Sequence, residues 1–252
     1  MQVLPVVQGS IKPIFGDKMV GRWQKYLAEA IGTFILVFIG PMSVTIFASV
    51  LKLDQPYYFG PGLFAIGMAF GVAAMAAIYS HGHISGAHIN PAVTISLAAI
   101  KKMDVKDAVP YIIAQLIGAS IAGFAHSSIL PELGKAVDYG LTLPGAAIGK
   151  SEGIAAVVEI ILTFFLVFTI MGVAVDKRAP PGFAGLIIGL VVAMDIWIGG
   201  PLTGASMNPA RTFGPALVSG NWTAHWVYWV GPIVGGLIAA LLYEYLLSEK
   251  KS

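Results

Sequence analysis

From Gln55 to Ile100 the chain carries no Asp, Glu, Lys or Arg. Such a run is longer than one bilayer crossing, which takes about 20 mostly apolar residues. The whole chain follows suit, with 57% hydrophobic and only 11% charged residues, against about 25% charged in an ordinary soluble domain. A soluble fold of this composition would expose large apolar patches. The composition therefore points to a lipid bilayer as the surroundings. A net charge of +2 is too small to suggest nucleic acid, and the absence of cysteine excludes disulfides and thiolate chemistry without fixing a compartment. Residues 1–25 are mixed, with Lys12, Asp17, Lys18, Arg22 and Lys25, and lack the pattern of a cleavable leader.

Six apolar stretches are long enough to span, at about 25–51, 58–80, 108–130, 153–175, 183–199 and 222–247. Polar or Gly/Pro-rich pieces separate them: KLDQP (52–56), KKMDVKD (101–107), PELGKAVDYG (131–140) and DKRAPPG (176–182). Two further apolar segments, 90–100 and 208–218, are too short to span, and both begin with Asn-Pro-Ala. With the N-terminus inside, Lys12, Lys18, Arg22, Lys25, Lys101, Lys102, Lys106, Lys177, Arg178, Lys250 and Lys251 fall on the cytoplasmic side. Lys52, Lys135 and Lys150 fall outside, and Arg211 is left within the membrane. This asymmetry orients both termini inward.

The chain repeats itself. AEAIGTFILVF (28–38) matches VEIILTFFLVF (158–168), pairing Glu29 with Glu159 at an offset of 130. GHISGAHINPAVT (82–94) matches GPLTGASMNPART (200–212), pairing Asn90 with Asn208 at an offset of 118. AQLIGASIAG (114–123) matches GPIVGGLIAA (231–240) at an offset of 117. The matches come in the same order, so the chain is one duplicated unit, with copies at about 22–131 and 150–247. The remaining residues read as a cytoplasmic N-terminal segment (1–21) and a short cytoplasmic tail (248–252). Each copy holds an odd number of spans, so the second enters the membrane upside down. Inverted repeats place a central site near the midplane, with interrupted helices pointing at it.

Asn is a strong N-cap, and proline fits the first helical position because its missing N–H would have no partner there anyway. Asn90-Pro91-Ala92 and Asn208-Pro209-Ala210 therefore each start a short helix about half a bilayer long. Irregular backbone at membrane depth is tolerated only inside protein or along a wet cavity. Two half-helices entering from opposite faces meet N-terminus to N-terminus, bringing together two positive dipole ends and two amide donors. Such a site suits a neutral polar molecule and repels cations. The carbonyls of Gly86, Ala87 and His88, and of Gly204, Ala205 and Ser206, supply acceptors along the approach. Arg211 stands where the first copy has Val93, and an arginine at membrane depth is read as facing a cavity, where it excludes protons and cations.

In AEAIGTFILVFIG (28–40), SGAHINPAVT (85–94), AQLIGA (114–119), TGASMNPARTFGPAL (203–217) and WVGPIVGG (229–236), the chain resembles the major intrinsic protein family of aquaporins and glycerol facilitators. The resemblance covers about 22–247, and DKRAPPGFAG (176–185) looks like archaeal members. It implies an all-α membrane protein of six transmembrane helices plus two re-entrant half-helices in an inverted repeat. It also implies a homotetramer in the cell membrane, with one pore per subunit. No cofactor or metal is implied, and the partners are water, small neutral solutes and the lipid bilayer. By resemblance, Phe70, Ile196, Ala205 and Arg211 form the narrow filter.

Here the sequence departs from pattern, since strict water channels usually carry His where Ile196 stands and facilitators usually carry Gly. The filter is expected to be wider and less polar than a strict water filter. Thr212, Ala216 and the Tyr228-Trp229 pair favour the aquaporin side. The expected activity is passive water permeation, with small neutral solutes such as glycerol or dissolved gases as the alternative and a proton-coupled transporter as a more distant one. Glu29 and Glu159 are expected to hold the re-entrant loops, although a paired intramembrane carboxylate also fits a proton relay. His81, His83 and His88 lack neighbouring acids or cysteines, which leaves packing or pH sensing at the mouth. Asp195, beside Ile196, is placed either in vestibule water or against a partner. Gly118, Gly123, Gly235 and Gly236 are expected to allow close helix contact. No catalytic constellation is present.

Overall fold

A computed structural model describes residues 20–50 and 61–249. The rest of the N-terminal segment, the KLDQP connection with Lys52, and Lys250 and Lys251 in the tail lie outside the described residues. The described chain is helical: α1 (Arg22–Thr45), α2 (Pro61–Ser85), α3 (Pro91–Ala99), α4 (Val105–Ile129), the single turn α5 (Pro131–Lys135), α6 (Glu152–Ile170), α7 (Ala184–Thr203), α8 (Pro209–Ser219) and α9 (Val227–Leu242). Wider π turns carry α1, α6 and α9 onward, through Ile46–Val50, Met171–Val175 and Tyr243–Leu247. Six of these helices, among the described residues, are long and apolar enough to cross a membrane. They are the six stretches read from the sequence, and α3 and α8 are the two short ones between them.

Helix ends follow local chemistry more than hydropathy. Asp104 caps α4 by accepting from the Lys106 N–H at 2.9 Å, and Ser151 caps α6 by accepting from Ile154 at 3.3 Å. The helix α2 runs beyond the apolar limit at 80 to Ser85, and α7 runs beyond 199 to Thr203. Both stop only where a glycine turns the chain, at Gly86 (φ 90°) and Gly204 (φ 81°). The last span begins at Val227 rather than at 222. The side chain of Asn221 there accepts from the Thr223 N–H at 3.1 Å, and this local turn competes with helix over those residues.

The halves correspond helix for helix: α1 with α6, α2 with α7, α3 with α8, and α4 with α9. In the first half α1 packs on α2 and α4, and in the second α6 packs on α7 and α9. The two halves meet through α2 and α7, and they exchange their half-helices. The helix α3 packs chiefly on α9 of the other copy, and α8 on α4. Both half-helices are thereby seated deep inside a ring of six spans.

Small residues let the helices approach closely. A Cβ built on Gly71 would lie 2.5 Å from the Gly189 carbonyl oxygen, and one on Gly189 would lie 2.5 Å from that of Gly71. This reciprocal contact sits where α2 crosses α7, and its two members are related by the same offset of 118 as the two Asn-Pro-Ala motifs. Gly118 rests on the backbone of Ala30 and Gly235 on that of Ile160, again as repeat partners. Gly123 rests on Gly214 and Gly236 on Ser96. Apolar side chains such as Val109, Ile113, Ile117 and Ile121 on α4 point outward and are exposed, as a surface facing lipid or another membrane helix requires.

These contacts set a stability prediction. Gly71→Val forces α2 and α7 apart and is expected to cost about 1–3 kcal/mol or more, the range for overpacking a tight contact. Gly153→Ala adds a methyl whose nearest neighbour is the Ser151 hydroxyl at 4.0 Å. It should leave thermal unfolding in detergent unchanged or slightly improved, while Gly71→Val lowers the midpoint.

Candidate functional site

Each re-entrant loop is built on one buried carboxylate. Glu29, on α1, accepts from the His88 and Ile89 N–H groups at 2.9 and 2.7 Å and from the Ser85 hydroxyl at 2.6 Å. Glu159, on α6, accepts from the Ser206 and Met207 N–H groups at 2.9 and 2.7 Å and from the Thr203 hydroxyl at 2.7 Å. Both glutamates are fully buried. A buried carboxylate persists only when its lone pairs are taken, and here the loops supply the donors. Tyr111 and Tyr228 close each arrangement by donating to the Ser85 and Thr203 carbonyls, both at 2.8 Å. One element is unpaired by the repeat: Gln115 donates to Glu29 and to Thr94 at 2.8 and 3.0 Å, whereas its counterpart position holds Pro232.

The loops pass through left-handed backbone at matching places. Gly86, Ala87 and Ile89 have φ of 90°, 46° and 47°, and Gly204, Ala205 and Met207 have φ of 81°, 47° and 53°. For residues bearing a Cβ this conformation costs roughly 1–2 kcal/mol each, so it persists where other contacts over-determine it. The amide groups tied to Glu29 and Glu159 do so.

Asn90 and Asn208 then start the half-helices. The Asn90 side-chain oxygen accepts from the Ala92 N–H at 2.8 Å, and that of Asn208 accepts from the Ala210 and Arg211 N–H groups at 3.0 and 3.3 Å. Each amide nitrogen reaches across to the other loop. Asn90 Nδ2 donates to the Met207 carbonyl at 2.8 Å, and Asn208 Nδ2 donates to the Ile89 carbonyl at 2.9 Å. An amide nitrogen carries two protons, so each keeps a second for the space beside it.

That space is a cavity of about 360 Å³ lined by both asparagines, by Gly86, Ala87, His88, Ala205 and Ser206, and by Phe70, Ile196 and Arg211. Gly204 lies instead on a smaller cavity of about 60 Å³, which shares Phe70, Ile196 and Arg211 with the larger one. Those three residues therefore stand at the junction between the two cavities. Arg211 is buried at the first turn of α8. Its Nη1 donates to the Gly140 carbonyl at 2.6 Å, and its guanidinium carbon lies 4.8 Å from the centre of the Phe70 ring. The repeat counterparts of Phe70, Ile196, Ala205 and Arg211, at the offset of 118, are Ile188, Ile78, Ala87 and Val93. All four line the same cavity, so the aromatic ring and the guanidinium have only aliphatic counterparts in the other copy.

Several neighbours were not legible in the sequence. Gly140 lies in a segment that reads only as a connector. Here Asp138, Tyr139 and Gly140 take φ of 47°, 53° and 73° in succession, which turns the Gly140 carbonyl onto Arg211. Thr142, in the same loop, shares a hydrogen bond with Thr212 at 2.7 Å, and Thr212 another with Ser206 at 2.6 Å. Ser85 and Thr203 could have been found as repeat partners bearing hydroxyls just before the loops. Asp195 is neither solvated nor paired: it is buried, and both carboxylate oxygens lack a hydrogen-bond partner among the described residues. His88 shares a hydrogen bond with Thr94 at 3.1 Å, and His81 bonds the adjacent Ser80 at 2.7 Å. At the end of the cavity away from Arg211, Lys102 lines the wall and pairs with Glu244 at 2.8 Å. Nearby, the Arg178 guanidinium beside Asp176 holds that carboxyl well below the usual carboxylate range.

Residues 17–243 match the major intrinsic protein family. This chain belongs to that family. Among similar proteins, Aquaporin AqpM of Methanothermobacter marburgensis is 47% identical over 92% of this chain and 100% of its own length. Probable aquaporin AqpM of Archaeoglobus fulgidus is 47% identical over 90% of this chain and 98% of its own. Among solved structures, the aquaglyceroporin from Plasmodium falciparum superposes with a TM-score of 0.79 at 25% identity, covering 90% of this chain and 97% of that one. As a major intrinsic protein, the chain is a multi-pass membrane channel with its two asparagine-capped half-helices at the centre.

Because Glu159 answers three donors, Glu159→Ala leaves the Ser206 and Met207 amides and the Thr203 hydroxyl without an acceptor. Each buried donor stranded in this way costs about 1–3 kcal/mol. Thermal unfolding in detergent should show a large loss for Glu159→Ala and a smaller one for Glu159→Gln, which keeps one acceptor oxygen.

Proposed function

We propose that this protein is a passive, bidirectional water channel that excludes protons and ions. The observation that carries the reading is the meeting of Asn90 and Asn208 on one cavity. Each is fixed by a hydrogen bond to the opposite loop, and each keeps a donor for a passing oxygen. Water can accept from both amides at that point and donate to the loop carbonyls on either side. A cation there meets the positive ends of α3 and α8. Phe70, Ile196, Ala205 and Arg211 serve as the filter, with the fixed charge of Arg211 adding to the barrier. Glu29 and Glu159 act as loop supports. Their oxygens already accept from loop amides and hydroxyls, which favours the supporting role over the transporter reading.

A second reading is supported by the filter's composition. With Ile196 and Ala205 it lacks the polar corner of a strict water filter, and the chain resembles a solved aquaglyceroporin. Small neutral solutes such as glycerol or dissolved gases would follow the same path. The channel domain is taken as 22–247, in two inverted copies flanked by a short N-terminal segment and tail. The protein is placed as a homotetramer in the cell membrane with both termini cytoplasmic. In support of that orientation, the contacts Arg22–Asp107, Lys102–Glu244 and Arg178 to the Leu247 carbonyl gather basic residues at one end of the helices.

Proteoliposomes shrunk with sucrose and then with glycerol test both readings by light scattering. Fast shrinkage in each, with glycerol reswelling no faster than in protein-free vesicles, is expected for a selective water channel. Accelerated reswelling moves the facilitator reading ahead, and no acceleration of shrinkage overturns both. Arg211→Ala is expected to retain water flow and to raise proton leakage, followed with an internal pH dye. Unchanged leakage would remove Arg211 from this role.

A further inference from the structure

We infer that Gly40, on α1, sets the aperture of the filter by fixing where the Phe70 ring stands; this rests on the reading of Phe70 as a filter residue. Gly40 is buried, and a Cβ built on it would overlap one edge of the Phe70 ring, coming within 2.5 Å of Cζ and closer still to Cδ1 and Cε1. The ring therefore lies directly on the α1 backbone. Its position in turn bears on Arg211, whose guanidinium stacks over it at 4.8 Å.

The next residue backs another of Arg211's partners. A Cβ on Gly140 would lie 2.7 Å from the Pro41 carbonyl oxygen and 2.9 Å from Pro41 Cα, so the loop that presents the Gly140 carbonyl rests on Pro41. One short piece of α1, Gly40-Pro41, thus backs both the ring beneath the guanidinium and the carbonyl that accepts from it. The Ser43 hydroxyl ties this piece down by donating to the Gly40 carbonyl at 2.6 Å.

The repeat shows that the glycine is a trade of bulk between two helices. At the offsets of 130 and 118, Gly40 and Phe70 correspond to Ile170 and Ile188. Both isoleucines line the same cavity. At the filter end, the branched side chain on the first helix is absent, and a larger ring on the second helix fills its space. A methyl added at Gly40 must move that ring, and the open side of the ring is the cavity it lines. Position 40 acts through Phe70 without touching the permeating molecule, as a positioning residue.

Per-channel permeabilities to water and glycerol in proteoliposomes test this for the wild type, Gly40→Ala, Phe70→Ala and the double variant. Phe70→Ala is expected to raise glycerol permeability. Gly40→Ala is expected to lower the glycerol-to-water ratio severalfold, or water permeability itself if the wild type admits no glycerol. In the double variant the methyl has no ring to push, so it should behave as Phe70→Ala. If Phe70→Ala leaves glycerol permeability unchanged, the filter reading fails and the inference fails with it. If Phe70→Ala opens the channel but Gly40→Ala changes nothing, or acts equally in the Phe70→Ala background, the inference alone is overturned. Should Gly40→Ala not reach the membrane, the same substitution in a Phe70→Leu background, where the shorter side chain can yield, gives the readout. A severalfold narrowing there supports the inference, and no change overturns it.

Discussion

Everything in this protein depends on keeping irregular backbone inside a membrane. A strand of loop in hydrocarbon strands its N–H and C=O groups, each at a cost of several kcal/mol. Two glutamates answer the N–H side, each gathering two consecutive loop amides and a hydroxyl. The cavity beside these loops is otherwise lined largely by apolar side chains of the surrounding helices. The carboxyl groups and the loops satisfy one another: the amides give the buried oxygens their donors, and the oxygens give the buried amides their acceptors.

Duplication makes this arrangement economical, and its exceptions mark the specialised end. The glutamates, the asparagines, the tyrosines that close the loops and the glycine crossing of α2 and α7 all come in pairs. Around Arg211 the pairing fails. Val93, Ile188 and Ile170 stand opposite Arg211, Phe70 and Gly40. The repeat thus leaves the aromatic ring and the buried guanidinium on one side of the asparagines, while their counterparts on the other side are aliphatic.

Much of this was legible before any coordinates. Spans follow from the length of apolar runs, and the half-helices follow from Asn-Pro-Ala, because capping is a rule about neighbouring residues. Helix ends were read less well. Hydropathy falls off at residue 80, yet α2 continues to Ser85 so that its hydroxyl reaches Glu29. Asp195 was left open between vestibule water and a partner, because sequence position does not give burial; only the packing of α7 shows it buried.

The sequence by itself determined the six spans, the inverted duplication, the two capped half-helices and the presence of one arginine at membrane depth. Each follows from periodicity, capping or repetition, all visible along a line. Only the tertiary structure decided what Arg211 touches. Its carbonyl partner comes from Gly140, 71 residues away, in a loop whose composition says nothing of membrane depth. Its stacking partner, Phe70, is held by a glycine on a third helix. These contacts arise because close-packed helices leave one position for a ring and one for a loop, and that position is set by backbone-to-backbone distance, which no local pattern of residues encodes.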